Sequence, residues 1–278
     1  MEVGLLTAPF RQESLEHVVK WAADVGFDCL EVASGPGSKH CDQTELKDED
    51  VAAVKGLVEA HNIRISSLAS YVNVTDPDAA ARSETLDNLK KLVDVAESLG
   101  VEVVCTMAGM PVPGKDRLET IAEDCPQVFG ELCPYAAEKG IKIALENWFA
   151  TNLLNLECFR LLFEVCPHEN FGLNFDPSHL LHQQIDYLHA VERFADRIFH
   201  THAKDTEVNQ QKLRWIGNQA RGWWRYVIPG YGKIDWGEYI ACLRHNGFNG
   251  VLSIEHEDSA FGREEGFVKG LRHLRQFA

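Results

Sequence analysis

Four apolar runs in the second half of the chain are each interrupted near their end by an acid or an imidazole. They read Ala144-Leu145-Glu146-Asn147, Asn174-Phe175-Asp176-Pro177-Ser178-His179, His200-Thr201-His202-Ala203-Lys204-Asp205 and Ile254-Glu255-His256-Glu257-Asp258. A carboxylate taken into an apolar core without a partner is costly, so several converging on one place call for a cation. Side chains alternate from face to face along a strand. On that alternation Glu146 and Glu255 can face inward, and His202 shares a face with His200 while lying nearer the strand end. The expected metal set is therefore Glu146, Asp176, His202 and Glu255. Three carboxylates and one imidazole suit Mn²⁺ or Mg²⁺ first, with Co²⁺ or Zn²⁺ as alternates. A blander role exists for Asp176, because Asp-Pro-Ser is also a good helix-start sequence in which the acid only caps. His40, His61, His168, His182 and His189 read as surface or loop histidines, and Cys105 as core.

Such residues need a scaffold that brings four strand ends together. Strand-like runs occur at 2–8, 27–34, 63–70, 101–109, 141–148, 171–178, 198–205 and 250–258, each rich in Val, Ile, Leu, Phe or Cys. Helical spacing fills the intervals, as over 13–25 and 78–98. A glycine stop recurs where helix gives way to strand, at Gly26, Gly100, Gly140 and Gly247. Eight such units predict a single (β/α)₈ TIM barrel spanning 1–278 as one domain. No G-x-G-x-x-G follows the first run, which argues against an open dinucleotide-binding sheet. In a barrel the chemistry sits at the C-terminal strand ends. The first four strands offer Glu31 and little else there. One connection, about 206–233, is far longer than usual and carries Arg214, Trp215, Arg221, Trp223, Trp224, Arg225 and Tyr226. It reads as a packed Ω-loop, a lid over the barrel mouth, or a subunit contact.

Composition narrows the partners. With 27 Lys+Arg against 42 Asp+Glu the net charge is −15, which repels nucleic acid and anionic membrane alike. No stretch approaches the roughly 18–20 apolar residues of a membrane span, and the N-terminus lacks the basic and apolar regions of a signal peptide. The eight cysteines form no C-x-x-C pair, so reduced, mostly buried thiols in a cytoplasmic protein are expected. A small-molecule substrate follows, with no nucleic acid and no membrane as partner.

These same residues are where the chain resembles the xylose isomerase-like TIM-barrel sugar (phosphate) isomerases and epimerases. The likeness covers nearly the whole chain. It is carried by Ala144–Asn147, Asp176–His179, His202–Asp205, Pro229-Gly230-Tyr231-Gly232 and Ser253–Glu257. The resemblance implies one divalent metal held by Glu146, Asp176, His202 and Glu255, with His179 touching substrate or metal. It also implies a homo-oligomer, dimer or tetramer. Epimerases of the family carry an arginine six residues beyond the metal histidine, and here that position is Val208. The arginine role then falls to Arg214, Arg221 or Arg225, of which Arg225 is taken as the substrate-binding residue.

The activity implied is isomerisation or epimerisation of a sugar or sugar-like ketone through an enediolate. Glu146 and Glu255 would act as base and acid on opposite sides of the reacting carbon. His179 would orient a substrate oxygen, and Lys204 would face the developing charge. One alternative is a metal-dependent lyase that uses the same α-proton abstraction to cleave a 3-keto (C-)glycoside, with a second subunit. Two remoter alternatives are an apurinic endonuclease-like repair enzyme, which needs histidines that strands three and four do not supply, and a sugar-binding barrel without activity.

Overall fold

The computed structural model describes residues 1–278. All eight expected strands form, as β1 (Glu2–Leu6), β2 (Cys29–Ala33), β3 (Arg64–Ala69), β4 (Val103–Met107), β5 (Lys142–Glu146), β6 (Phe171–Phe175), β7 (Ile198–Ala203) and β10 (Val251–Ile254). They close in the order β1-β10-β7-β6-β5-β4-β3-β2. Every neighbouring pair is parallel, and the seam pairs Glu2 with Val251 and Leu5 with Ile254. Helices cover the outside, making the fold a (β/α)₈ barrel. The helix Leu15–Val25 begins on Ser14, whose side chain accepts from the His17 amide, and ends at Gly26 in the left-handed region, φ 98°. The long helix Ala79–Leu99 ends the same way at Gly100, φ 74°. None of the helices is long and apolar enough to cross a membrane. All eight cysteines are free thiols, and only Cys242 is not fully buried.

The core has two unequal parts. The larger lies between strands and helices, where Phe129, Phe159, Phe171 and Trp236 are buried. Inside the barrel the apolar plug is small: Leu6, Ala69, Val103, Cys105 and Ala144. Around it the interior is polar, with Glu31, Ser67, Asn174, His200, His202 and Ser253 all buried. Polar groups at that depth must be paired, so this layer is where the sequence departs from what packing alone would choose.

Several strands stop short of the expected runs. The ladders end at Met107, Glu146 and Ile254 rather than at 109, 148 and 258. The residues beyond them give up ladder hydrogen bonds to build the mouth. Asn147, for example, clasps the next strand end, donating to the Asp176 carbonyl and accepting from the Asp176 amide, both at 2.8 Å.

The 206–233 connection is a folded arm rather than an irregular loop. β8 (Asp205–Val208) pairs antiparallel with β9 (Trp224–Val227), matching Asp205 to Val227 and Val208 to Trp224. A short helix, Gln210–Ile216, caps its outer end and leaves Trp215 89% exposed. The base of this ribbon is tied by one buried carboxylate. Asp205 accepts from the backbone amides of Thr206, Gly230, Gly232, Lys233 and Ile234 and from the Trp236 indole, at 2.7–3.1 Å. The amides of the Pro229–Gly232 turn thus bind the chain's own acid. A Cβ at Gly232 would overlap Asp205 Oδ1, so only glycine fits there.

Candidate metal and substrate site

Glu146, Asp176, His202 and Glu255 come from β5, the ends of β6 and β10, and β7, and they meet at the barrel mouth. One ligand atom from each lies within 4.8 Å of the others. His202 Nδ1 stands 3.2 Å from both Glu146 Oε1 and Glu255 Oε2. Asp176 serves two purposes at once. Its Oδ1 accepts from the Ser178 amide at 2.8 Å, which is the capping role. Its Oδ2 is buried and has no hydrogen-bond partner. It makes ion-pair contacts with Lys204 at 3.3 Å and His179 at 3.4 Å instead, and is oriented into the cluster. Counting Glu31 below, four acids, three of them buried, face the Lys204 ammonium and the imidazoles of His202 and His179. That donor set fits a hard divalent ion.

Lys204 is the ammonium. Its Nζ lies 2.5 Å from Glu255 Oε2, 3.3 Å from Asp176 Oδ2 and 3.8 Å from Glu146 Oε1, and 4.7 Å over the Tyr226 ring. Burial works against its charge, but Glu255, Asp176 and Glu146 outweigh burial and hold its pKa well above the ordinary value. Burial likewise opposes ionisation of Glu146, and His179, His202 and Lys204 overcome it, so the carboxyl falls well below the usual range. His179, on the short helix Ser178–Leu181, sits with Nε2 3.3 Å from Glu146 Oε1 and 3.4 Å from Asp176 Oδ2. Its Nδ1 is 2.6 Å from the Tyr226 hydroxyl.

Arg225 is placed elsewhere. Alternation along β9 sends Trp224 and Tyr226 toward the mouth and Arg225 to the opposite face. There its guanidinium donates to Glu207 at 2.5 Å and Asp258 at 2.6 Å. It does not line the pocket over the cluster, which has a volume of about 350 Å³. Aromatic side chains line that pocket instead: Tyr71, Trp148, Phe149, Trp224 and Tyr226. Arg117 steadies the segment carrying Trp148 and Phe149 through the Phe149 and Thr151 carbonyls. His182, expected at the surface, is buried and stacks on Trp224 with centroids 3.9 Å apart and planes 6° from parallel.

Sequence reasoning gave Glu31 no role, yet it is the group that orients His202. Both Glu31 oxygens lie 3.1–3.2 Å from His202 Nε2, and Ser253 and the Tyr71 hydroxyl also donate to it. Burial raises the Glu31 carboxyl, but the imidazoles of His202 and His200 prevail and bring it to about 2. An ionised Glu31 keeps the proton on Nε2 and leaves Nδ1 free to ligate, as carboxylates behind metal-binding histidines do. Glu31→Gln should weaken divalent-ion affinity by about 10–100-fold while the barrel stays folded, as read by Mn²⁺ titration alongside circular dichroism. Affinity unchanged in that variant would remove Glu31 from the site. The signal was present, since Glu31 interrupts Cys29-Leu30-Glu31-Val32 as Glu146 interrupts its own run.

Comparison with known proteins bears on this geometry. Residues 19–277 match the family described as xylose isomerase-like TIM barrel. The chain belongs to that family. An uncharacterized Bacillus subtilis protein, YfiH, is 28% identical over 312 residues, covering 99% of each chain. An inosose dehydratase of Erwinia tasmaniensis is 25% identical over 292 residues, covering 96% of this chain and 91% of the relative. Among solved structures, the IOLI protein with a bound zinc atom superposes with a TM-score of 0.80 at 21% identity, over 100% of this chain and 99% of the other. Within the family, this chain's four-residue cluster lies at the C-terminal barrel face, where barrel enzymes keep their chemistry.

Proposed function

We propose that the protein is a divalent-metal-dependent isomerase or epimerase of a sugar or sugar-like ketone, working through an enediolate. The observation that carries this reading is Asp176 Oδ2, buried and without a hydrogen bond, gathered with Glu146, His202 and Glu255 at the floor of an aromatic-lined pocket. Glu146, Asp176, His202 and Glu255 would hold the ion. When bound, it supplies a Lewis acid that makes the C–H beside a ketone acidic. Mn²⁺ or Mg²⁺ matches the oxygen-rich set, with Co²⁺ or Zn²⁺ also suited.

The protein's own groups then move the proton. Glu146 or Glu255 takes it from the carbon next to the carbonyl, and the C–H electrons pass into the carbonyl to give the enediolate. The ammonium of Lys204 faces the oxygen that gains charge. Return of a proton to the neighbouring carbon gives the isomer, and return to the opposite face of the same carbon gives the epimer. His179, held by Tyr226, orients a substrate hydroxyl. Trp148, Phe149 and Trp224 shield the intermediate from water.

A second reading is a lyase on the same scaffold. The Tyr226–His179 pair, 2.6 Å apart, is placed to deliver a proton to a group leaving from the β carbon. Collapse of the enediolate would then expel that group, as water from an inosose or as the aglycone of a 3-keto glycoside. The likeness to an inosose dehydratase supports this second outcome. Both readings share the first step, so solvent exchange tests them together. Mn²⁺-loaded protein in D₂O should place deuterium beside the carbonyl of D-fructose, an inosose or a 3-keto glucoside, seen by NMR. Product of unchanged molecular formula, apart from exchanged hydrogen, indicates isomerase or epimerase, and loss of water or aglycone indicates lyase. No deuterium in any of these ketones would sink both.

A further inference from the structure

The ribbon closes over a second cavity, of about 610 Å³, beside the catalytic pocket. The two share Phe149 and Trp224, whose rings stand 5.7 Å apart at 89°, so they meet across one aromatic step. Small-molecule sites run from about 300 to 1,000 Å³, and the inner pocket is near the bottom of that range. The outer cavity is the larger of the two, and its chemistry is different. The inner pocket is dominated by carboxylates and Lys204. The outer one has no carboxylate on its wall, in a chain with 42 acids. Its polar groups are the amides of Gln183, Gln184, Asn218 and Gln219, the Arg221 guanidinium and the His182 imidazole.

His182 is the inner wall. It is buried, and its Nε2 has no hydrogen-bond partner. Burial foremost, with His179 nearby, brings its pKa to about 4, so near neutral pH the ring is uncharged. An uncharged imidazole and several amides each both donate and accept. That mixture suits hydroxyl groups, which do the same, and the Arg221 guanidinium adds donors for a hydroxyl oxygen. The indoles of Trp223 and Trp224 add apolar surface on the same wall, as required by a ring with C–H faces and hydroxyl edges.

We propose that this outer cavity is a binding subsite for a second, hydroxyl-bearing sugar ring, so that the preferred substrate is a sugar ketone carrying a glycosyl substituent. The inner pocket takes the ring that reacts, and the ribbon holds the ring that does not. Binding energy from the outer ring then positions the reacting one. This inference rests on the sugar-ketone reading of the inner pocket.

Ala220 lines the outer cavity and not the inner one, so Ala220→Trp fills it without touching the proposed catalytic groups. The test is calorimetric titration of Mn²⁺-loaded protein with two pairs of ketones. One pair is D-fructose and isomaltulose, and the other is methyl 3-keto-β-D-glucoside and 3-keto-cellobiose. At least one two-ring ketone should bind about tenfold tighter than its one-ring partner, equivalent to about 1.4 kcal/mol. Ala220→Trp should erase that preference and leave one-ring affinity unchanged. If Ala220→Trp fails to fold, the double change Gln219→Ala with Arg221→Ala, at two exposed positions, reports the same loss. Equal binding within both pairs, or a preference that survives the filled cavity, overturns the subsite. Deuterium exchange in one-ring ketones with no two-ring preference overturns the subsite and leaves the reaction standing. A two-ring preference without exchange in any ketone overturns the reaction and leaves the subsite.

Discussion

Alanine at Glu146 or at Glu255 is expected to lower turnover by at least about 10³-fold, to the edge of detection. Each of these carboxylates is assigned two tasks, ligating the ion and transferring a proton, and truncation removes both. Metal content of the purified variants should fall with the rate. Stability should fall modestly while the fold persists. Against burial, His179, His202 and Lys204 hold Glu146 ionised, and Lys204 and His202 do the same for Glu255, so each charge contributes to the folded state. Asp176 still pairs Lys204 and Glu31 still pairs His202 once either acid is gone. A cooperative thermal melt together with lost turnover separates a functional role from a structural one. Parent-like rates in either variant would falsify the assignment.

Stripping divalent ions is the second large effect. Dialysis against a chelator should bring activity to background, and added Mn²⁺ should restore it. The folded barrel should survive the treatment. Small metal domains unfold without their ion because nothing else organises the ligands. Here the Lys204 ammonium touches three of the four acids, and Glu31 holds His202 from behind. Far-ultraviolet circular dichroism of the stripped protein should match the loaded one. Activity that persists after metal analysis finds no bound ion would overturn the metal reading.

The barrel was readable because each strand is a short apolar run closed by a polar end, and because glycine stops mark the helix ends. Glu146, His202 and Glu255 were readable by the same contrast, an ionisable group where packing would prefer an apolar one. Asp176 was ambiguous, since one residue can cap a helix and face a cation, and the structure has it capping with one oxygen while the other faces the cluster. Apart from Glu31 on β2, what escaped came from the segments between strands. Tyr71 follows β3 in an irregular stretch, and only the closed barrel brings its hydroxyl within 3.0 Å of His202. The ribbon did carry a signal. Trp224 and Tyr226 alternate with Arg225, a period-two pattern that fits a strand and assigns the aromatics and the arginine to opposite faces. Arginine was expected at the substrate because the epimerase pattern has one nearby, and here alternation turns it outward onto Glu207 and Asp258. His182 looked like a loop histidine, and its burial depends on Trp224 arriving from 42 positions later in the chain.

The clasp at Asp205 has a consequence for how this barrel can diversify. Both ends of the ribbon converge on a single carboxylate, and everything between residues 209 and 223 hangs outside that knot. Lengthening a connection whose ends are already fixed costs little closure entropy, about 0.6 kcal/mol per doubling. The arm can therefore be exchanged, shortened or extended while the barrel, the clasp and the mouth keep their shape. Recombination between Asn209 and Trp223 would transplant a recognition arm as a unit, leaving Trp224, Tyr226 and the proton-transfer groups of the recipient in place.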